Sequence, residues 1–268
     1  MTIGASPVSA IYPSTIRDGV KTEYTALQDG LVVYMGARDG TVSEYRVTLD
    51  QMGTPADASD DVLFVEKDGG PRRTFTVDEV LFDDGSGDIA VFYEAANGDE
   101  FYLGTDISDS FAPDLDSDGL ETSFTFNASG PGPTIRAFGG GGLETAVGDL
   151  PDRAVYRGEY ALFAAEGGFE ILGGSAIEVD FATSRVTGTH SGDLDSGRVT
   201  GAFDGSVSGA RVGGTMSVTG DATGTLEFGG MVIGEGGDRM VLGIGGTVNE
   251  GGTDRAIGGN SNLFVLPD

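Results

Sequence analysis

Hydrophobic and polar residues alternate in short runs along much of the chain. In the segment TVSEYRVTL (41–49), Tyr45 and Leu49 fall on one face of an extended chain and Glu44 falls on the other. A period of two residues is typical of a β-sheet that packs one face and exposes the other to water. No window of the sequence shows a sustained apolar helical period, so the sequence predicts little helix.

Turn signals separate these runs from about Val20 to Phe138. Asp-Gly and Asn-Gly pairs between β-prone segments are the strongest short-range signal for a β-hairpin, because they adopt the positive φ angles that tight turns require. Four pairs stand in such positions: Asp29-Gly30, Asp39-Gly40, Asp68-Gly69 and Asn97-Gly98. The sequence therefore predicts a strand-rich N-terminal domain built from hairpins.

A change of composition at residues 113–142 predicts the end of this domain. The region contains an acidic segment, PDLDSDGLE, and a run of glycines from Gly139 to Gly142. Glycine and proline runs favour loops over regular structure, so we interpret the region as a linker. We place the boundary near residue 145, which divides the sequence into an N-terminal domain, 1–145, and a C-terminal domain, 146–268.

About eight strand candidates follow one another between Tyr156 and Phe264. Eight antiparallel strands joined by successive hairpins close most simply into an up-and-down barrel. The predicted fold is therefore all-β, with an eight-stranded antiparallel β-barrel at the C-terminus and the strand-rich domain before it. A sandwich of the same strands is the main alternative.

A short phrase occurs four times in the C-terminal domain: Val, then Thr or Ser, then Gly, three free positions and a second Gly. The copies begin at Val186, Val199, Val207 and Val218. Their uneven spacing argues against a fixed-period repeat. If each copy begins a strand, its valine and both glycines share the inward face, where small residues let a narrow barrel close.

The charge balance excludes some classes of partner. The chain has 43 acidic residues against 15 basic ones, which gives a formal net charge of −28. Nucleic-acid binding depends on clustered Lys and Arg, so we predict no nucleic-acid partner, and adsorption to anionic lipid is disfavoured for the same reason. Because the sequence contains no cysteine, disulfides, thiolate metal sites and cysteine nucleophiles are excluded.

The hydropathy of the chain and its N-terminal residues give information on where in the cell the protein is located. No run approaches the length of a membrane-spanning helix, so we predict no transmembrane segment. The opening residues MTIGASPVSA lack the apolar core of a signal peptide. Two explanations stay open: a cytoplasmic protein, or a mature chain trimmed before Met1, in which case any lipid anchor belongs to the segment removed.

The second half resembles the β-barrel lobe of the transferrin-binding protein B-like family of bacterial surface lipoproteins. The likeness lies in AVYRGEYALF, AIEVDFATSRVTGTHSG, GAFDGSVSG, LEFGGMVIGEGGDRMVLGIGG and a closing RAIGGNSNLF. Members of the family pair a barrel with an N-terminal strand-rich handle, to which residues 20–140 are similar. The family's FYGP-like turn appears here only as MVIGEGGDRMVLGIGG, and its lipid-carrying cysteine is absent from the sequence.

The resemblance implies an exported protein, at the bacterial outer membrane surface or outside the cell, that binds a protein or small ligand. Neither a G-x-S-x-G elbow nor a P-loop lysine appears in the sequence, so we predict no enzyme activity. Our leading hypothesis is a non-enzymatic binding protein that uses the loops of a β scaffold. The alternatives are an acidic structural or assembly subunit of a surface layer, filament or appendage, and a hydrolase with a carboxylate pair.

Asp114, Asp116 and Asp118 open a segment that resembles a calcium loop. Aspartates at alternate positions, followed by glycine, bring carboxylates together at a sharp turn. A complete EF-hand loop has Glu at its twelfth position, which is Thr125 here, whereas Glu121 comes earlier. The three aspartates and Glu121 are our candidate calcium ligands, and a solvated acidic turn is the alternative.

His190 is the only histidine of the chain. In the strand pattern it shares the face of Val186 and the glycines, so its side chain is predicted to point into the barrel. Imidazole is a ligand of metals and of haem iron, which makes His190 a candidate cofactor-binding residue. The alternative is a histidine that fills space and forms hydrogen bonds inside the barrel.

Overall fold

The computed structural model describes residues 31–50, 52, 61–82, 89–106, 121–128, 135–142, 144–164, 170–194 and 196–265. Within these ranges the chain forms sixteen β-strands and two short 3₁₀ helices, Val147–Asp149 and Glu235–Gly237, and no α-helix. No helix in this part of the chain is long and apolar enough to cross a membrane. The prediction of an all-β fold is confirmed.

The strands form two sets of eight. The first set is β1 (Leu31–Ala37), β2 (Val42–Asp50), β3 (Val62–Lys67), β4 (Arg73–Phe82), β5 (Ile89–Glu94), β6 (Glu100–Asp106), β7 (Glu121–Ala128) and β8 (Ile135–Gly142). The second set is β9 (Arg153–Ala164), β10 (Glu170–Asp180), β11 (Arg185–Leu194), β12 (Gly197–Ser208), β13 (Arg211–Gly220), β14 (Ala222–Ile233), β15 (Arg239–Glu250) and β16 (Thr253–Val265).

Each set closes into a barrel of its own. Neighbouring strands follow the order of the chain, and the last strand of each set meets the first. The predicted C-terminal eight-stranded antiparallel barrel is therefore confirmed, and the sandwich alternative is wrong. The strand-rich N-terminal domain also closes into a barrel, a closure that its hairpin signals do not predict.

Three of the four predicted hairpin turns fall within the described residues. Asp39-Gly40 joins β1 to β2, Asp68-Gly69 joins β3 to β4, and Asn97-Gly98 joins β5 to β6. Asp68 and Gly69 have φ angles of 51° and 67°. These angles lie in the left-handed region, which tight hairpins require and which aspartate tolerates better than most residues. The fourth pair, Asp29-Gly30, lies outside the described residues.

Aromatic side chains fill the interior of the first barrel. Phe75 and Phe101 are fully buried, and their rings and that of Phe126 meet edge-on or tilted, with centroids 6.1 to 6.4 Å apart. Such pairs add about 0.5–1.5 kcal/mol each beyond the burial of their area. The Arg73 guanidinium covers this cluster, 5.2 Å from the Phe75 ring centroid, and pairs with the buried carboxylate of Asp99.

Contacts between residues divide the chain into two compact units. One unit consists of the described residues up to Val32 and within Tyr45–Thr134. The other consists of Val33–Glu44 and the described residues of Ile135–Asp268. The domain boundary near residue 145 stays a prediction, because the two units are not separated at a single point of the chain.

Glycine runs form strands in the second unit. The run that ends at Gly142 belongs to β8, so its interpretation as part of a linker is wrong. A Cβ atom on Gly139 would lie 2.2 Å from the carbonyl oxygen of Tyr34, and one on Gly258 of β16 would lie 1.9 Å from that of Ala37. No side chain fits at such distances. Glycine is needed here because two backbones touch, and not because the chain turns.

Two of the four Val-Thr/Ser-Gly copies begin strands, as predicted, and two do not. Val186 and Val199 stand near the starts of β11 and β12, whereas Val207 and Val218 stand near the ends of β12 and β13. All four valines are 5% exposed or less, since a period of two places them inward at either end of a strand. After Val207, Gly209 makes the turn with a φ of 61°, so the phrase suits a strand end as well as a strand start.

Candidate functional site

His190 points into the second barrel, as the strand pattern predicts. It lies on β11 and is 5% exposed. Its Nε2 atom lies 2.6 Å from the carbonyl oxygen of Ser217, and its Nδ1 atom lies 3.1 Å from the hydroxyl oxygen of Tyr160. A carbonyl oxygen only accepts, so Nε2 carries the ring hydrogen, and Nδ1 of the neutral ring accepts from the Tyr160 hydroxyl.

Aromatic rings and glycines make the space around His190. The rings of Tyr160 and Phe203 meet the imidazole edge-on, at centroid distances of 5.6 and 5.8 Å. A Cβ atom on Gly201 would lie 2.5 Å from Nε2 of His190, and one on Gly192 would lie 2.5 Å from the Tyr160 hydroxyl. Both glycines belong to the repeated phrase, which therefore provides the room that the histidine and the tyrosine occupy.

Burial keeps the Tyr160–His190 pair uncharged near neutral pH. Burial lowers the pKa of His190 below its usual value, and the bond to the Ser217 carbonyl opposes this effect. Burial also raises the pKa of the Tyr160 hydroxyl. Since both nitrogens of His190 have protein partners, a haem iron or another metal would have to displace one of them. The role of His190 as a cofactor ligand stays a prediction.

Three of the four calcium candidates, Asp114, Asp116 and Asp118, lie outside the described residues. Glu121 is the first residue of β7, where its backbone pairs with Asp106 of β6. Among the residues that the structure describes, no three His, Asp or Glu side chains come together in a way that could hold a metal ion. The calcium site stays a prediction.

Among the residues that the structure describes, three turns gather at one end of the second barrel. They join β11 to β12, β13 to β14, and β15 to β16. In an up-and-down barrel, alternate turns lie at the same end. We call this surface the hairpin end and define it by the described residues of 193–198, 219–223 and 249–255. Paired strands anchor both sides of every turn, so the surface stands on a rigid scaffold.

Arg198 and Asp221 connect two of these turns. The backbone nitrogen of Arg198 donates to Oδ2 of Asp221 over 2.8 Å, and the backbone nitrogen of Asp221 donates to the carbonyl oxygen of Arg198 over 3.1 Å. The side chain of Arg198 also bonds Asp193, with Nε 3.0 Å from Oδ1. Gly197 lets the carboxylate approach, since a Cβ atom there would lie 2.0 Å from Oδ2 of Asp221.

Glu250 connects the third turn to the first. Its Oε1 atom accepts from the Ser196 hydroxyl over 2.5 Å, and its Oε2 atom lies 3.2 Å from Nε of Arg255. Within the third turn, the Asn249 amide donates to Asp254 over 2.7 Å. Side chains thus hold three turns that are distant in sequence in one arrangement.

The hairpin end is acidic. Its described side chains include four carboxylates and two guanidiniums: Asp193, Asp221, Glu250 and Asp254, with Arg198 and Arg255. A carboxylate offers about four acceptor positions, and the bonds described above use one or two of them. Each carboxylate therefore keeps the capacity to accept from a partner. The sequence alone does not reveal these residues, because charges flank many turns and only the register of the strands shows which of them meet.

Comparison with known proteins yields matches among solved structures alone. No protein-family model matches the chain, and no curated protein matches it. A structure of transferrin binding protein B from Haemophilus parasuis Hp5 shares 12% identity, with a TM-score of 0.44 over 88% of this chain and 46% of that chain. One from serogroup B Neisseria meningitidis shares 10% identity, with a TM-score of 0.41 over 85% of this chain and 64% of that chain.

A third match is a protein of another family. A protein of unknown function from the DUF3598 family of Nostoc punctiforme shares 12% identity, with a TM-score of 0.28 over 90% of this chain and 97% of that chain. This chain spans 46% and 64% of the two transferrin binding proteins. At identities of 12% or less, no ligand is carried over from these proteins to this chain.

Proposed function

We propose that this chain is a non-enzymatic binding protein of a bacterial surface, which captures a protein or small ligand through the hairpin end. The observation that supports this most directly is the set of bonds between turns. Ser196 and Glu250 are 54 residues apart in sequence, and Arg198 and Asp221 are 23 apart. Turns on a rigid scaffold commonly carry binding residues, and fixing them in advance lowers the entropic cost of association.

The interior of the second barrel supports an external binding surface. Side chains from all eight of its strands form one buried cluster. Tyr156, Leu162 and Ile177 are among those that are fully buried. An eight-stranded barrel is just wide enough for its own side chains or for one small ligand. Because side chains occupy this space, we place binding at the end of the barrel, where the turns are exposed.

The acidity of the hairpin end favours a partner with basic groups. Carboxylates form their strongest hydrogen bonds with guanidinium and ammonium donors. The net charge of −28 over the whole chain would also speed the approach of a cationic partner. The surface location is supported by the resemblance of the second half to bacterial surface lipoproteins.

Affinity capture with the intact protein, followed by titration of each purified candidate partner, tests this function. The double variant Asp193→Asn, Asp254→Asn removes two of the carboxylate charges from the hairpin end. The matched control is Glu178→Gln, Asp180→Asn, which removes two carboxylate charges near the opposite end of the same barrel. We expect the double variant to bind about tenfold more weakly, and the control to bind like the wild type. Equal binding by all three proteins would show that the hairpin end is not the binding surface.

Light scattering separates this proposal from the structural-subunit hypothesis. An acidic assembly subunit self-associates, so its scattering should rise with protein concentration or with added calcium. A binding protein without such assembly leaves the scattering per unit mass unchanged over the same range.

A further inference from the structure

We infer that His190 makes the second barrel sensitive to acid, beneath the hairpin end. The ring lies on β11 and is bonded to β9 through the Tyr160 hydroxyl and to β13 through the Ser217 carbonyl oxygen. Gly201 of β12 lies opposite it in the strand pairing. One uncharged side chain therefore connects β9 and β13, which stand four strands apart in the closed order of eight.

Short stretches of strand connect His190 to the hairpin end. On β11, Asp193 follows His190 by three residues, and on β12, Arg198 precedes Gly201 by three. A strand advances about 3.3 Å per residue, so these charged residues lie about 10 Å along their strands from the ring. A disturbance of the pairing at His190 therefore reaches the turn that carries both.

Protonation disrupts the bonds of the ring. An imidazolium donates from both nitrogens, so Nδ1 can no longer accept the hydrogen of Tyr160, and that hydroxyl has to turn. The new charge would lie between the rings of Tyr160 and Phe203. A buried charge is costly unless a counter-charge or strong hydrogen bonds compensate it.

The described strands around His190 present no carboxylate to it. The inward side chains nearest in the pairing are Tyr160 on β9, Ser175 on β10, Phe203 on β12 and Met216 on β13. Tyr160 is the titratable group among these four. The acid of β11 itself, Asp193, is exposed on the outer face. These surroundings provide no negative charge to neutralise an imidazolium.

The direction of the pH effect follows from burial. The pKa of His190 in the folded barrel is lowered, whereas in the unfolded chain it is about 6.5. At a pH between these two pKa values, the unfolded chain binds a proton that the folded barrel does not. The stability that the neutral His190 ring contributes is therefore complete above about pH 6.5 and is lost as the pH falls toward the folded pKa. The folding constant at about pH 5 is reduced at most about 30-fold, the limit that is reached when the folded ring stays neutral.

The first experiment uses the fact that the chain has one histidine. NMR can follow its imidazole in the full-length protein without any mutation. We expect one titration, with a pKa below the ordinary histidine value, and nitrogen shifts of the Nε2–H tautomer at neutral pH. A pKa at or above the ordinary value, or the Nδ1–H tautomer, would overturn the inference.

The second experiment compares the wild type with His190→Gln. The glutamine amide can accept from Tyr160 and donate to the Ser217 carbonyl, and it does not titrate. Between about pH 7.5 and 5, hydrogen-exchange protection of β11 to β13, corrected for intrinsic rates, should fall up to about 30-fold more in the wild type. Equal losses in the two proteins would contradict the inference. If the variant does not fold, the NMR titration of the wild type decides the question.

One consequence for binding rests on the proposed function. If the hairpin end binds a partner, that partner should dissociate faster from the wild type than from His190→Gln at about pH 5. Suppose the titration and exchange results are as expected, but the dissociation rates are equal. The acid sensitivity then stands, and the assignment of the hairpin end as the binding surface is wrong.

Discussion

The backbone amides of Arg198 and Asp221 each donate to the other residue, the first to the Asp221 carboxylate over 2.8 Å and the second to the Arg198 carbonyl oxygen over 3.1 Å. This reciprocal pair joins the turn before β12 to the turn before β14. The Asp221 carboxylate therefore satisfies a backbone donor of another turn, and its removal leaves that donor to find water.

Replacing Asp221 with alanine should loosen these two turns without unfolding the barrel. The amide of Arg198 loses its acceptor, at a cost of about 1 kcal/mol, which is about a fivefold loss of hydrogen-exchange protection at that amide. Asp221→Asn is the control, because its amide oxygen can still accept. Equal protection of the Arg198 amide in the wild type and the alanine variant would contradict the bond.

The space beside His190 should not accept one added methyl group. A Cβ atom on Gly201 would lie 1.9 Å from the Ser217 carbonyl oxygen, so Gly201→Ala should cost about 1–3 kcal/mol through overpacking. Gly174→Ala is the control, because the atom nearest to its added Cβ is 3.8 Å away. The melting temperature of β11 to β13, measured from their amide NMR signals, should be lower in Gly201→Ala than in the wild type and unchanged in Gly174→Ala. Equal melting temperatures would mean that the barrel relaxes around Gly201.

Local sequence patterns were enough to predict most of the strands, but not that the first set of strands closes into a barrel. The alternation around Tyr45 and the pair Asp68-Gly69 predicted their strand and turn correctly, because both depend on neighbouring residues. Closure of the first barrel depends on the meeting of β1 with β8, which no local pattern contains. Gly139 was misinterpreted for the same reason: it stands in a strand because the backbone of Tyr34 lies against it.

For the candidate site, the sequence could predict the direction of a side chain within one strand, but not its partners on other strands. The face that His190 shares with Val186 predicted that the histidine points inward. Its partners Tyr160 and Ser217 are 30 and 27 residues away, and only the strand register of the closed barrel brings them to the ring. The bonds of the hairpin end depend on the same register, so charge and turn signals alone could not show them.

Calcium binding by Asp114, Asp116, Asp118 and Glu121 can be tested by thermal melting. A ligand that binds the folded state alone stabilises it, so calcium should raise the melting temperature and a chelator should lower it. Calorimetry should show one binding event, which Asp116→Asn should weaken because it removes a charged ligand. A melting temperature that calcium does not change, together with no heat of binding, would remove the prediction.

The Tyr160 hydroxyl should lower the pKa of His190 as well as hold the imidazole ring in position. Burial is the main cause of the lowered pKa of His190, and we expect the Tyr160 hydroxyl, which donates to Nδ1 over 3.1 Å, to favour the neutral ring further. Tyr160→Phe should therefore raise that pKa in an NMR titration of the single imidazole. Tyr156→Phe is the control: it loses a buried bond of 2.8 Å to the Gly237 carbonyl, but none to His190. Equal shifts in both variants, or none in either, would show that the Tyr160 hydroxyl does not donate to Nδ1.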